Sequence, residues 1–169
     1  MSSVSLSKAK YAPTLLERLA DNAPREVADA NPLRMITIEQ LKESVANDLE
    51  SLLNCRSAFQ KGTFSRYPET LMSLCSYGMP DFVGLSLASP RDRNHICKSL
   101  ESTIALHEPR LRQVSVSLEV DATSVNKLRF AIHALLIIHP TSEPVYFDAM
   151  LQPSTLRYSV SRGRHLGLS

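Results

Sequence analysis

Apolar residues first recur along the chain with the period of a helix. The segment TIEQLKESVANDLESLLNCR, residues 37–56, carries one apolar stripe. The stripe consists of Ile38, Leu41, Val45, Leu49, Leu52 and Leu53. Thr37 and Gln40 have the spacing of a capping box, in which each side chain satisfies a free amide at the helix start. The opposite face is acidic and is expected to be solvated; it holds Glu39, Glu43, Asp48 and Glu50.

A second long helix is predicted from Ser89 onward. Serine suits the N-cap position and Pro90 suits the first helical position. Asp92 in the first turn interacts favourably with the helix dipole. The buried side is expected to hold Ile96, Leu100 and Ile104. Pro109 has no backbone N–H and disfavours helix at the preceding residue, so we expect the helix to end near His107.

Two shorter segments also have helical patterns. PTLLERLA, residues 13–20, predicts a short helix with Leu15, Leu16 and Leu19 on one side, followed by a linker that contains two prolines, DNAPREVADANP. This helix either docks on a partner or folds back onto its own core. ETLMSLCSYG predicts a helix that Gly78 ends in a left-handed conformation. MPDFVGLSLAS follows it and predicts an extended connection.

Apolar and polar residues alternate after Pro109, which is typical of half-buried strands. VSVSLEV, KLRFAIHALLII and PVYFDAML each place apolar residues on one face, and LRYSV adds a fourth candidate strand. Short links between them predict an antiparallel meander. The sequence therefore predicts an α+β fold in which two main helices pack on a three- to four-stranded antiparallel sheet. We expect the main domain to span residues 37–160, with an N-terminal tail, short helix and linker at 1–36 and a basic tail at 161–169.

Composition narrows the class of protein. The net charge of the 169 residues is +2, which is too small to predict nucleic acid as the main partner. The three cysteines, Cys55, Cys75 and Cys97, are odd in number and far apart, which favours free thiols over disulfides or a zinc site. The N-terminus has no apolar run typical of a signal peptide, and no stretch approaches the ~18 apolar residues of a membrane span. We expect a cytoplasmic protein without direct membrane insertion.

The stretch HEPRL lies where the helical pattern gives way to the alternating one. In an extended segment Glu108, Arg110 and Arg112 share one face. That face has the parity of Val114 and Val116, which are predicted to be in the core. Either a bulge near Gln113 switches the parity, or the charges lie at the rim of the apolar face. In both cases a charge pair is held at the junction of helix and sheet, either as an internal salt bridge or as a site for a partner.

Catalysis is poorly supported by the residues. Arg110 beside Glu108 is expected to favour the charged form of that carboxyl, whereas a general acid in a glycosidase must carry a proton. The histidines and cysteines have no partner at ligand or nucleophile spacing, and the glycines form no phosphate loop. We therefore expect no catalytic residues, no bound metal and no cofactor.

Five segments occur together in an order that resembles one family. They are LLERL, DLESLLNCR, SYGMPDFVGLS, HEPRLRQVSVSLE and PVYFDAML. Together they resemble the TssE family, baseplate wedge components of type VI secretion systems, and its counterpart in contractile-tailed phages. The resemblance covers the chain from about Pro13 to Leu151. His107 departs from it, because a bulky apolar or aromatic residue is expected there.

The resemblance implies a structural protein with the fold of a sheath subunit's handshake domain. It implies that Glu108, Pro109 and Arg110, with Arg112 beside them, hold the core bundle formed by wedge subunits of the TssF, TssG and TssK type. It also implies that strand edges template a contractile sheath of the TssB and TssC type. These edges contain Val145, Phe147, Ala149, Leu151, Leu156 and Tyr158. An exposed edge of this kind would make the isolated protein prone to self-association.

Two other functions stay open beside this one. A distant relative of the same fold acts as an anti-adaptor, so the chain can instead be a regulatory binding module. A peptidoglycan hydrolase that uses Glu108 is the third hypothesis. On the leading interpretation, Arg110→Asp leaves the isolated protein folded and abolishes its co-purification with the other wedge subunits.

Overall fold

A computed structural model describes residues 11–19, 25, 35–59, 62–64, 66–82, 85, 89–119, 128–152 and 154–163. The α-helices in these ranges are α1 (Leu15–Leu19), α2 (Ile38–Asn54) and α3 (Pro90–His107). The strands are β1 (Leu111–Glu119), β2 (Leu128–Ile138), β3 (Thr141–Gln152) and β4 (Arg157–Arg162). They form one antiparallel sheet in the order β1-β2-β3-β4. The predicted α+β fold with an antiparallel meander is confirmed.

The chain divides into two compact units, residues 1–45 and 46–169, and the division lies inside α2. In the first unit Tyr11 and Ile36 exchange two backbone hydrogen bonds of 2.8 Å. Thr14 and Glu17 form a capping box at the start of α1, with the Thr14 amide donating to the Glu17 carboxylate at 2.8 Å. The predicted short helix is therefore present.

The leucines of α1 were predicted to dock on a partner or on the chain's own core. Leu15 is 69% exposed and Leu19 is 70% exposed. The side chain of Leu16 lies outside the described part of the chain. Docking of this helix on a partner stays a prediction.

Both long helices begin as their sequences predict. At α2 the Thr37 amide donates to Gln40 Oε1 at 2.9 Å, and the Gln40 amide donates to Thr37 Oγ1 at 3.3 Å. At α3 the Asp92 amide donates to the Ser89 hydroxyl at 3.4 Å, and Pro90 opens the helix. Helix α3 ends at His107, because Pro109 cannot continue the hydrogen-bond ladder.

The core of the second unit lies between these helices and one face of the sheet. Helix α2 contributes Leu49, Leu52 and Leu53, and α3 contributes Ile96, Leu100 and Ile104; each is at most 3% exposed. The sheet contributes alternate residues of β2, β3 and β4. These are Phe130, Ile132, Ala134, Leu136, Val145, Phe147, Ala149, Leu151, Tyr158 and Val160. The predicted period-two burial is confirmed, and burial of this apolar area stabilises the fold.

No helix within the described ranges is long and apolar enough to cross a membrane.

The segment before α3 differs from its prediction. ETLMSLCSYG forms two short 3-10 helices, Pro68–Met72 and Leu74–Ser76, instead of one α-helix. Ser73 has extended backbone and its hydroxyl accepts from the Cys75 amide at 3.2 Å, so it ends one turn and caps the next. Gly78 then adopts φ +106°, as its position predicts.

Gly78 also packs closely against the end of α2, which leads to a first prediction. A Cβ at this position would lie 2.6 Å from the Cys55 carbonyl oxygen. We expect Gly78→Ala to lower the free energy of unfolding by about 2 kcal/mol or more, because the clash adds to the cost of a positive φ. Urea unfolding measures the change. Gly62→Ala is the matched control, because no atom lies within 4 Å of its Cβ position. Equal stability of the two variants would contradict the prediction.

Tyr158 gives a second prediction, because its buried hydroxyl has no hydrogen-bond partner in the described part of the chain. Burial raises the pKa of Tyr158 to about 12. An unfolded tyrosine ionises near pH 10, so the native state loses stability as the pH rises from about 10 to about 12. We expect Tyr158→Phe to be at least as stable as the wild type at pH 7.

Above pH 10 the wild type should lose up to about 1 kcal/mol more per pH unit than Tyr158→Phe. Urea unfolding of both proteins at pH 7 and at pH 11 checks this. Parallel pH dependence in the two proteins would show that the hydroxyl does not ionise in this way.

Candidate functional site

The junction of α3 and β1 is a tight turn built by the stretch HEPRL. Glu108 ends the helix with φ −118° and ψ 84°, and its amide still donates to the Ile104 carbonyl at 2.8 Å. The chain then turns at Pro109 and Arg110, and the Leu111 amide donates to the Glu108 carbonyl at 3.1 Å. Because proline has a fixed φ and no N–H, the chain leaves the helix at this residue. We call residues 108–112 the joint.

A bidentate ion pair holds the joint. Glu108 is 5% exposed, although it carries a charge. Arg110 Nε donates to Glu108 Oε1 at 2.7 Å, and Arg110 Nη2 donates to Glu108 Oε2 at 2.5 Å. The Arg110 amide donates to the same carboxylate at 3.2 Å. Two parallel contacts from one guanidinium fix the geometry of both side chains.

Helix α2 joins this ion pair through Asp48. Arg110 Nη2 also donates to Asp48 Oδ2 at 2.5 Å, and the Asp48 side chain is 47% exposed. Burial lowers the pKa of Arg110, but hydrogen bonds and charge from Glu108 and Asp48 outweigh burial and raise it above its ordinary value. The guanidinium therefore stays charged and links α2, the end of α3 and the start of β1. The internal salt bridge that the sequence left open is what the structure shows.

The guanidinium retains unused donor capacity. Arg110 Nη1 is buried and makes no hydrogen bond to the described residues. Its two N–H groups are strong donors, and leaving them without acceptors costs free energy. Because Nη1 is buried, these N–H groups are not accessible to a partner in this conformation.

His107 packs where an apolar residue was expected. Its Nε2 lies 3.0 Å from the Ser76 carbonyl oxygen and 3.4 Å from the Ser76 hydroxyl. Its ring meets Tyr77 edge-on, with centroids 5.4 Å apart. Burial raises the pKa of Tyr77, and nearby Cys55, Asp48 and Glu108 raise it further. The histidine thus attaches the segment before Gly78 to the joint by a polar contact instead of an apolar one.

A bulge settles the parity conflict in β1. The pairing register with β2 shifts between Arg112 and Ser115, and Gln113 adopts φ +52°. Leu111 and Val116 are five positions apart, so in a regular strand they would point to opposite faces. Both are buried, so the bulge switches the face. Arg112 is exposed and makes no side-chain hydrogen bond or ion pair within the described residues. Pro109, Arg112 and Gln113 are the exposed residues of this region, and we call them the joint surface.

The strands that were predicted to offer an open edge do not all do so. Strand β3 lies between β2 and β4, and both of its sides are paired from Phe147 to Gln152. The prediction of a free edge there is wrong, because LRYSV forms the strand that covers it. Val145, Phe147, Ala149 and Leu151 point into the core. Strand β4 is an edge of the sheet, with Tyr158 buried and Leu156 51% exposed just before it.

The edge of β4 is already occupied by side chains of α2. Asn54 Nδ2 donates to the Tyr158 carbonyl at 2.8 Å, and the Tyr158 amide donates to Asn54 Oδ1 at 2.9 Å. The Val160 amide donates to Glu50 Oε2 at 2.8 Å. A bare row of strand groups would attract another chain, and covering them removes that tendency. We call the hydrogen bonds of Glu50 and Asn54 to β4 the seal. The seal opposes the self-association expected from the sequence.

Helix α3 covers the opposite edge in the same way. The Val116 amide of β1 donates to Glu101 Oε1 at 2.9 Å. The Leu118 amide approaches the Cys97 thiol and lowers its pKa, but burial and the nearby Glu101 raise the pKa of Cys97 by more. The polar residues that carry this pattern were missed in the sequence, where Asp48 and Glu50 were assigned to a solvated face. Spacing of four residues between Glu50 and Asn54 was the available signal.

The arrangement is suited to holding shape and poorly suited to catalysis. Both carboxylate oxygens of Glu108 accept hydrogen bonds from the Arg110 guanidinium, so the carboxylate is held in an internal ion pair and is not free to donate a proton as a general acid. Within the described residues there is no group of three or more His, Cys, Asp or Glu side chains that could hold a metal ion. The cysteines at positions 55, 75 and 97 are free thiols. The chemistry of the joint is ion pairing between rigid elements.

The sequence and the fold are similar to those of several known proteins. The family model of the baseplate wedge protein gp25 matches residues 39–141. The anti-adapter protein IraD from Escherichia coli O6:K15:H31 and from Escherichia coli O127:H6 is 30% identical over 114 residues, covering 66% of this chain and 85% of the relative. A chain of the baseplate complex from the type VI secretion system matches with a TM-score of 0.47 and 16% identity, over 68% of this chain and 96% of that chain.

The family match contains α2, α3, the joint, β1 and β2. It defines the class of the protein as a structural baseplate component. The chain belongs to the gp25 family of baseplate wedge proteins. The resemblance to baseplate wedge proteins noted from the sequence is thereby confirmed.

The ion pair of the joint leads to a third prediction. We expect Arg110→Met to lower the free energy of unfolding by about 3 kcal/mol, because it leaves the buried Glu108 carboxylate without a counter-charge. The double variant Glu108→Met/Arg110→Met should recover part of this loss, since no buried charge remains. Urea unfolding gives all three values. Arg112→Met, at an exposed position, is the control and should change stability by less than about 0.5 kcal/mol. Equal effects of Arg110→Met and Arg112→Met would show that the ion pair does not support the fold.

Proposed function

We propose that this protein is a wedge subunit of a type VI secretion baseplate in the cytoplasm, which binds the other wedge subunits through the joint and starts polymerisation of the contractile sheath. The observation that carries the proposal is the joint itself, a buried ion pair that holds exposed residues in fixed positions at the edge of the sheet. Membership of the baseplate wedge family supports the structural part of this role.

The joint surface has the properties of a preorganised binding site. Arg112 is exposed, has no partner within the described residues and lies between the rigid turn at Pro109 and the bulge at Gln113. A fixed backbone reduces the entropy lost on binding. An arginine in this setting suits carboxylates or helix-end carbonyls of a partner, because its guanidinium presents several donors in one plane. We infer that the partner here is the core bundle of TssF-, TssG- and TssK-type subunits.

The sheath-initiating role is assigned to β4. Strand β4 is an edge strand, and an edge strand can pair with a strand from another chain. The added strand would belong to a sheath subunit of the TssB or TssC type. Strand β3 cannot take this role along Phe147–Gln152, because both of its sides are already paired.

A regulatory binding module is the second candidate, and the 30% identity to the IraD anti-adapter proteins favours it. Such a module would use the same rigid scaffold to bind an adaptor protein instead of a baseplate. The two functions differ in the proteins that co-purify from the native cell.

A fourth prediction tests the docking role without disturbing the fold. The substitution Arg110→Asp is unsuitable, because the structure places Arg110 in the internal ion pair, so lost binding could reflect unfolding. We expect Arg112→Glu to keep wild-type stability and to reduce co-purification with the other wedge subunits by at least about tenfold, because it reverses an exposed charge at the partner surface. Affinity purification followed by quantitative mass spectrometry measures the effect.

Arg91→Glu is the matched control for this experiment. It makes the same change of charge at an exposed position in the first turn of α3, away from the joint. Wild-type recovery of wedge subunits by Arg112→Glu would remove the joint surface as the docking site. Recovery of an adaptor protein instead of baseplate subunits would support the second candidate.

A further inference from the structure

Helix α2 connects the joint to the edge of β4. Within two turns it carries Asp48, which binds Arg110, and Glu50 and Asn54, which bind the backbone of β4. All these contacts lie within the second compact unit of the chain. A movement of this part of α2 would therefore change the joint and the strand edge together.

The distance between Glu50 and Asn54 along α2 matches the distance between the groups that they bind along β4. Four residues of an α-helix span about 6 Å, and two residues of a strand span about 6.7 Å. Glu50 and Asn54 are four residues apart, and the amides that they bind, Val160 and Tyr158, are two residues apart. The helix thus satisfies successive outward-facing groups of the strand with side chains only. These are main-chain groups at strand spacing, so the main chain of an added strand can satisfy the same set.

The seam between α2 and β4 is more open than the seam between α3 and β1. Backbone atoms of α3 approach β1 within 8 Å, whereas the hydrogen bonds between α2 and β4 are made by the side chains of Glu50 and Asn54. Two open grooves border the seal, with volumes of about 310 and 280 Å³. Glu50 and Arg157 line both, and Met150 lines the larger one. The β4 side is therefore where an entering segment finds space.

We propose that β4 is a gated site for strand addition, which α2 keeps closed until a partner at the joint takes the place of Asp48 on Arg110. This inference rests on the proposed function. The strand that would be added to β4 is an extended segment of a sheath-type subunit. Strands in a sheet lie about 4.8 Å apart, so an added strand must displace Glu50 and Asn54 and move α2 outward. The gate links sheath initiation to docking of the subunit in its baseplate.

Asp48 is the contact that a partner can break. It is 47% exposed and shares Arg110 Nη2 with Glu108, which is buried and bound in two places. A partner carboxylate or carbonyl can therefore replace Asp48 while the Glu108 pair stays intact. An exposed ion pair is weak enough for such an exchange.

Amide hydrogen exchange of the isolated, full-length protein tests the gate directly. We expect Asp48→Ala to increase exchange at the Tyr158 and Val160 amides about two- to fivefold, although Asp48 contacts neither residue. The Val116 amide, sealed by Glu101 on the other edge, should not change. Ser51→Ala is the control on the same helix, because among the described residues the Ser51 hydroxyl bonds only the Asn47 carbonyl of that helix. Unchanged exchange at Tyr158 and Val160 in Asp48→Ala would overturn the gate.

A second measurement tests the occupant. Glu50→Ala/Asn54→Ala opens the seal without touching the joint, and we expect it to bind purified sheath subunits of the same bacterium at least about tenfold more tightly than the wild type does. Sedimentation of the variant alone shows whether a second copy takes the edge instead, and a concentration-dependent dimer would overturn the sheath assignment. Both measurements use the isolated subunit, so failure of the Arg112→Glu test would refute docking at the joint without bearing on the link between Asp48 and β4.

Discussion

The contact of Arg110 with two carboxylates is the interaction on which the rest of the structure depends. It joins the end of α3 to the start of β1 through Glu108, and it joins both to α2 through Asp48. A buried carboxylate is costly unless it is paired, so Glu108 and Arg110 must be retained or lost together. The pair consequently fixes the direction in which the chain enters the sheet.

Polar side chains from the helices cover the two edges of the sheet. Glu101 covers an amide of β1, and Glu50 and Asn54 cover β4. A four-stranded open sheet has two edges, and each is a possible site of unwanted pairing. The helices thus contribute twice, with an apolar stripe that fills the core and with polar side chains four residues apart that cover the edges.

This arrangement suits a component that assembles in a defined order. On the function proposed above, the rigid joint is the surface for the first partner, and the covered edge of β4 becomes available to the next partner when the cover moves. Both properties meet in α2, because Asp48 and Asn54 belong to the same two turns. The chain belongs to the gp25 family of baseplate wedge proteins, which is consistent with such a component. The 30% identity to IraD shows that a related sequence is an anti-adapter protein.

The sequence by itself determined the secondary structure and the burial pattern of most elements. Caps at Thr37 and Ser89, the stop at Pro109 and the alternation in the strands depend on local backbone chemistry, which neighbouring residues decide. It also narrowed the parity conflict at the joint to a bulge or a rim, and the bulge at Gln113 is the one that forms. Only the tertiary structure decided that Asp48 binds Arg110, that Glu50 binds the backbone of β4, and that β3 is internal. These features depend on residues up to 110 positions apart in sequence, and no local pattern reports such distances.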